Sequence, residues 1–262
     1  MQRDKDLEYN MPFDINGNII TNTQIKLYNE KNIVRNGLIM YLDAGIPSSY
    51  PGSGTSWVDL TGNGYNGTLV NGPSYNISGG GVITFDGTND YASVNVNSWI
   101  RSTSSAYTFS SFFYYNGDTN GGAPYSLMTS PNDGNNNDGF WQHINLGGIW
   151  YWRTEDNSSG ESGGNVENPS TFSNGNWYNI TTVVKTNSLI FYRNGLPVST
   201  ISTTFNWANL RNDHTAFLYI ATGYGELYLM NGYVSNFQMY SRELSAAEIL
   251  QNYNAQRGRF GI

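Results

Sequence analysis

From Gly37 onward the chain is written in short runs of β-branched and aromatic residues, each closed by glycine, asparagine, aspartate or proline. GLIMYLDA, VITFDG, DYASVNV, AYTFSSFFYY, PYSLMT, GFWQHINL, GIWYWRT, NWYNITTVV, SLIFYRNG, LPVSTIS, TAFLYIAT and ELYLMNGYVSNFQMYS follow one another in this way. Such runs suit strands, whose side chains alternate between two faces. Glycine permits the positive-φ turns between them, and Asn and Asp tolerate those turns. About a dozen strands with no βαβ rhythm predict an antiparallel sandwich. The best hairpin signal is FYRNGLPV, where Asn194-Gly195 supplies both positive-φ positions of a tight turn. One helix is signalled, in RELSAAEILQNY: Ser245 can cap it and Glu248 can return the bond.

Composition agrees. Thirty glycines, 20 tyrosines and 13% charged residues fit a turn-rich sheet protein, and 262 residues allow one large all-β domain or two small ones. The absence of cysteine excludes a disulfide framework and thiolate chemistry. A net charge of −7 argues against a nucleic-acid surface, which needs clustered Lys and Arg. No apolar run approaches the ~18 residues of a membrane helix, so no membrane insertion is expected. MQRDKDLEYN has no apolar secretory core. Four N-x-S/T sites, at Asn66, Asn76, Asn157 and Asn179, carry little weight without that context.

Residues 1–36 stand apart. They hold Arg3, Lys5, Lys26, Lys31 and Arg35, five of the thirteen basic residues, and few aromatics. They read equally as an irregular lead-in or as an arm that docks on a neighbouring subunit. Two long loops, 116–139 and 154–175, are of a length usually tied to function or mobility.

Three kinds of site suggest themselves. Asp59, Asn63, Asp86 and Asp90 lie in glycine-spaced loops and could hold a hard cation such as calcium, which takes six to eight oxygen ligands. The competing reading has Asp59 and Asp86 bonding to the backbone of their own turns. The sparse carboxylates favour that second reading, with no cofactor. For carbohydrate, WQHINLGGIWYWRT offers Trp141, His143, Trp150 and Trp152 at i, i+2 spacing. Trp150 and Trp152 share one face and Trp141 and His143 share one face. An open face would make them a stacking platform with His143 and Arg153 as polar handles; a face turned to the second sheet would make them core. For catalysis, eight scattered glutamates form no E-x-D-x-E pattern, and neither His143 nor His214 accompanies a nucleophile motif. The chain is expected not to be an enzyme.

GLIMYLDAG, SYPGSGTSWVDLTGNGYNGTLVNGPSY and VITFDGTNDY at the front, with LYLMNGYVSNFQMYSRELSAAEILQNYNAQRGRFG at the back, resemble a laminin-G-like domain of the concanavalin A-like lectin/glucanase superfamily. The resemblance spans about residues 37 to 260 and is to the kind found in structural and fibre proteins of tailed bacteriophages. It implies an all-β, antiparallel jelly-roll sandwich over 37–262 with one short C-terminal helix, loops that bind glycans in many relatives, and often one calcium. It also implies a virion protein, a capsid decoration or tail-fibre component made in the host cytoplasm. Residues 1–36 would then contact other virion proteins, the jelly roll would reach host-surface glycans, and the protein would form a homo-oligomer, a trimer in a fibre. A free carbohydrate-binding lectin is the alternative, and a glycan hydrolase a weaker one.

Overall fold

The computed structural model describes residues 32–96, 105–117, 125–128, 139–144, 148–155, 162–166, 172–210, 216–223 and 228–262, with 125–128 and 162–165 as backbone. Its strands are β1 (Leu38–Asp43), β2 (Ser56–Trp57), β3 (Gly67–Val70), β4 (Ser74–Asn76), β5 (Val82–Asp86) and β6 (Tyr91–Asn95). Then come β7 (Ala106–Tyr115), β8 (Tyr125–Met128), β9 (Gly139–Ile144), β10 (Trp150–Glu155) and β11 (Ser162–Asn165). The last are β12 (Asn176–Lys185), β13 (Ser188–Arg193), β14 (Leu196–Ser202), β15 (Phe217–Ile220) and β16 (Asn231–Tyr240), before helix α1 (Ala246–Gln256).

All the strand pairs are antiparallel, as the sequence predicts, and they form two sheets. Sheet 1 runs β14-β13-β12-β7-β16-β5-β4, with β1 also on β16; sheet 2 runs β11-β10-β9-β8-β15-β6-β3-β2. The expected hairpin joins β13 to β14, with Asn194 at φ +51° and Gly195 at φ +77°. Alternation turns one face of each sheet inward, where the aromatic rings interlock. Phe109 of sheet 1 meets Phe140 of sheet 2 edge to face at 4.8 Å, and Phe191 meets Trp150 at 5.3 Å and Trp152 at 5.2 Å.

Helix α1 covers the outer face of sheet 1. Phe112 stacks on Phe260, just beyond the helix, at 4.8 Å, and Asn236 Nδ2 donates to Gln256 Oε1. The capping box forms as read: Glu248 N donates to Ser245 Oγ, and Ser245 N to Glu248 Oε2. Arg242 grips the same carboxylate, its Nη1 at 2.9 Å from Oε2. These Arg242 hydrogen bonds, then those from Ser245, outweigh burial and hold the Glu248 carboxyl down at about 2 against an ordinary 4.5. A carboxyl depressed in the folded state contributes its full stability above about pH 4.5 and loses it as pH falls toward 2. Glu248→Gln is therefore expected to cost about 1 kcal/mol at pH 7, modest because the pair is partly solvated. In urea denaturation across pH, the difference from the parent should close on acidification.

Residues 32–36 sit on this domain. Ile33 and Val34 are buried, Val34 N donates to Asn252 Oδ1, and Tyr240 Oη donates to Val34 O. The remainder of the expected arm, 1–31, lies outside the described residues.

Candidate functional site

The four oxygen-bearing residues expected to hold a cation do not come together. Asp59 caps its own turn and a neighbouring strand: its Oδ1 accepts from Tyr41 N and Thr61 N, its Oδ2 from Thr61 Oγ1 and Tyr65 N. Asn63 turns its amide nitrogen to Ile39 O at 2.9 Å. Asp86 Oδ1 accepts from Thr88 N at 2.7 Å and Asn89 N at 3.4 Å. Across β16, Tyr41 faces Gln238 while Asp86 faces Asn231. Seven positions at ~3.3 Å each separate these by roughly 23 Å. The Asp59–Asn63 and Asp86–Asp90 pairs are thus two places, and neither has the carboxylates a calcium loop needs. Among the described residues no three His, Cys, Asp or Glu gather as metal ligands. Asp90 is only 6% exposed. Burial first, and the Asp86 charge second, raise its carboxyl above the usual range, partly offset by a hydrogen bond from the Asp86 backbone.

The tryptophan-rich strands divide differently from a single platform. Gln142 lies opposite Trp152, and Tyr151 opposite His143. Trp150 and Trp152 therefore point inward with Gln142, whereas Trp141 and His143 point outward. Trp150 and Trp152 are core residues at 0% exposure, and Trp150 Nε1 donates to Gln142 Oε1 at 2.8 Å. A strand buried against a second sheet needs bulky rings on its inner face, and these two supply them. They are corrected here from sugar-stacking candidates to packing residues. Trp141 faces outward yet is 6% exposed.

What the outer face of sheet 2 presents instead is a row of half-buried side chains. Arg153 Cζ lies 5.6 Å from the Tyr151 ring centre; Tyr151 stacks on His143 at 5.0 Å, and His143 on Tyr228 at 4.7 Å with an interplanar angle of 9°. Tyr219 and Tyr91 meet edge to face at 5.9 Å further along the same sheet, with Phe217 beside Tyr219. Burial, and the Arg153 charge second, push His143 down to about 4. Its Nδ1 is buried without a hydrogen-bond partner, so the ring is neutral at neutral pH. The row offers flat rings, phenolic hydroxyls and one guanidinium, the groups that hold a polyhydroxylated ligand by stacking and hydrogen bonds.

His143 and Arg153, expected as polar handles, both lie on the outer face of sheet 2. Tyr151 follows Trp150 along β10 and so lies on the opposite, outer face, across from His143. Tyr228 carried no signal, since the connection between β15 and β16 brings it to His143.

Of the glutamates, Glu243 pairs with Lys185 at 3.0 Å and Glu248 with Arg242. Glu155 is half-buried on the outer face beside Arg153. Among the described residues, none of these stands as one of two facing carboxylates.

Solved structures of the same fold include domain 4 of AbnA, a GH43 extracellular arabinanase from Geobacillus stearothermophilus, in complex with arabinotriose. It aligns with a TM-score of 0.62 at 12% identity over 84% of this chain and 100% of that one. The binding domain of botulinum neurotoxin DC in complex with SialylT aligns at 0.61 and 14% identity over 84% of this chain and 52% of that one. Trypanosoma rangeli sialidase in complex with sialic acid gives 0.61 and 14% over 87% and 34%. The chain spans about half the length of the neurotoxin domain and a third of the sialidase. At these identities the likeness is one of fold. No curated protein sequence matches the chain. A laminin-G-type family profile, described as the concanavalin A-like lectin/glucanases superfamily, matches residues 86–250. That match covers more than half of the chain, which therefore belongs to the concanavalin A-like lectin/glucanases superfamily.

Proposed function

We propose that this chain is a non-enzymatic, glycan-binding lectin module. The observation that carries the reading is the row Arg153, Tyr151, His143 and Tyr228 on the outer face of sheet 2. Support comes from proteins of like fold whose structures hold arabinotriose or sialic acid. The setting is the surface of a tailed-bacteriophage particle, as a capsid decoration or tail-fibre component that reaches host-surface glycans. Residues 1–31 are the part of the arm left to contact other virion proteins, and display as a homo-oligomer, a trimer in a fibre, suits that role. The front and back motifs that resemble phage structural proteins support this setting. No calcium is assigned, since the Asp59 carboxylate already accepts from the backbone N–H groups of Tyr41, Thr61 and Tyr65 and from the Thr61 hydroxyl.

The test is a glycan array followed by titration of the best ligand against the parent and Tyr151→Ala. Tyr151 is half-buried on the surface, so the variant should fold normally and bind at least tenfold more weakly, about 1.4 kcal/mol. Unchanged affinity, or an array with no bound glycan, would sink the proposal.

A further inference from the structure

Alternation along β7, β12 and β16 sends a second set of rings to the outer face of sheet 1. Phe113, Tyr115, Tyr178 and Val234 face the core, so Tyr114, Trp177 and Tyr233 face out. Register sets them directly across from one another: Trp177 opposite Tyr114, Tyr114 opposite Tyr233, and Tyr233 opposite Thr84 of β5. Tyr114 stacks on Tyr233 at 5.1 Å and meets Trp177 edge to face at 5.6 Å. All three are half-buried. Phe260 packs on the Trp177 ring at 4.4 Å, and a Cβ on Gly79 would stand 3.1 Å from Trp177 Cζ2. The rings are thus fixed before any ligand arrives, which spares the cost of ordering them.

Two residues further along the same face, Asn231 lies opposite Asp86. Asp86 is exposed, and the hydrogen bonds from Thr88 N and Asn89 N both end on its Oδ1. Its Oδ2 and the Asn231 amide therefore set an acceptor and a donor–acceptor pair beside two phenols and an indole. The size of the strip decides what it can hold. A protein partner needs about 800 Å² from each side. Three rings of about 150–250 Å² each, already half-buried, leave at most roughly 300 Å² to offer. That suits a ligand of a few sugar units, whose C–H faces lie against rings while its hydroxyls turn to amides and carboxylates.

We propose that this strip of sheet 1 is a second carbohydrate-binding site, taking a short oligosaccharide against Tyr114, Tyr233 and Trp177 with its hydroxyls on Asn231 and Asp86. It stands on sheet 1 alone and does not depend on the row on sheet 2. The two faces are opposite sides of the sandwich, so one ligand cannot fill both. With both in use, a single chain grips two glycans at once and gains avidity at a glycan-covered surface.

The test is an NMR titration of the isotope-labelled full chain with linear glucan, xylan and arabinan oligosaccharides, read at the Trp177 indole N–H and the Tyr114, Tyr233 and Asn231 amides. At least one of the three should shift these signals to saturation. Tyr233→Ala should weaken the binding read at Trp177 by about tenfold or more. Asn231→Ala, which leaves every ring in place, should weaken it about threefold or more while keeping the parent's thermal midpoint. Tyr151→Ala should leave it unchanged. Shifts confined to the surroundings of Tyr151 and His143, or an Asn231→Ala variant that binds at Trp177 as the parent does, would overturn this site and leave the sheet 2 reading standing. Shifts confined to the surroundings of Trp177 would support this site and count against that reading, and no shift anywhere would overturn both.

Discussion

Trp150→Ala is expected to destabilise the domain by about 3–5 kcal/mol, the range for removing a large aromatic from a packed core. The ring is wholly buried and meets Phe172 at 5.9 Å and Phe191 at 5.3 Å, both edge to face. Alanine would leave a cavity between the sheets and deprive Gln142 Oε1 of its donor, a further cost of about 1–3 kcal/mol if nothing replaces it. Domains of this kind have only about 5–15 kcal/mol to lose. Urea denaturation followed by tryptophan fluorescence and circular dichroism should show a much lower midpoint or no folded baseline. Tyr151→Ala, one position away but facing out, should retain a midpoint close to the parent. Equal midpoints for the two variants would contradict the inward placement of Trp150. The contrast separates loss of fold from loss of ligand.

Arg259→Met should cost a comparable amount through a different mechanism. Arg259 Nη1 and Nη2 reach Asp43 Oδ2 and Oδ1 at 2.7 and 3.0 Å, with side-chain exposures of 9% and 1%. Arg259 Nη2 also donates to Ser235 Oγ at 2.9 Å and Gly80 O at 3.3 Å. Removing the guanidinium strands a buried carboxylate, for which losses of about 3–5 kcal/mol are usual. Tyr41 Oη and Gly45 N still donate to Asp43, so the residue keeps some compensation. Adding Asp43→Asn to Arg259→Met should recover part of the loss, because no charge is then left unpaired. Thermal denaturation of the two single variants and the double variant checks this. A double variant less stable than Arg259→Met would show that the Asp43 charge is not the source of the cost.

The fold was legible because its signals are local. A period of two, glycine and asparagine turns, and the Ser245–Glu248 box each depend on neighbours in sequence, and each appears where the sequence places it. The short strands β2, β3, β4 and β11 were missed, as two to four residues with polar or glycine content make no periodic pattern. The site was half legible. Alternation correctly paired Trp150 with Trp152 and Trp141 with His143, but no local signal tells which face of a strand meets a second sheet. That depends on the β9–β10 register and on Phe191 and Phe172, contributed by distant strands and connections. Tyr228 and the separation of Asp59 from Asp86 depend on tertiary distance alone. Turn aspartates look the same in sequence whether they hold a cation or a backbone amide.

The position of β16 also governs how this chain can be made. It lies between β7 on one side and β1 with β5 on the other, and β1 has no other strand partner among the described residues. Residues 38–43 must therefore wait for residues 231–240 before their backbone groups are paired. At about 5–20 residues per second, that interval on the ribosome is roughly ten to forty seconds. Closing a loop of this length is slow, and a waiting β1 exposes apolar side chains beside unpaired edges. The nascent chain thus depends on whatever shields β1 in the cell, so its yield on expression should be set by chaperone supply as much as by the stability of the finished sandwich.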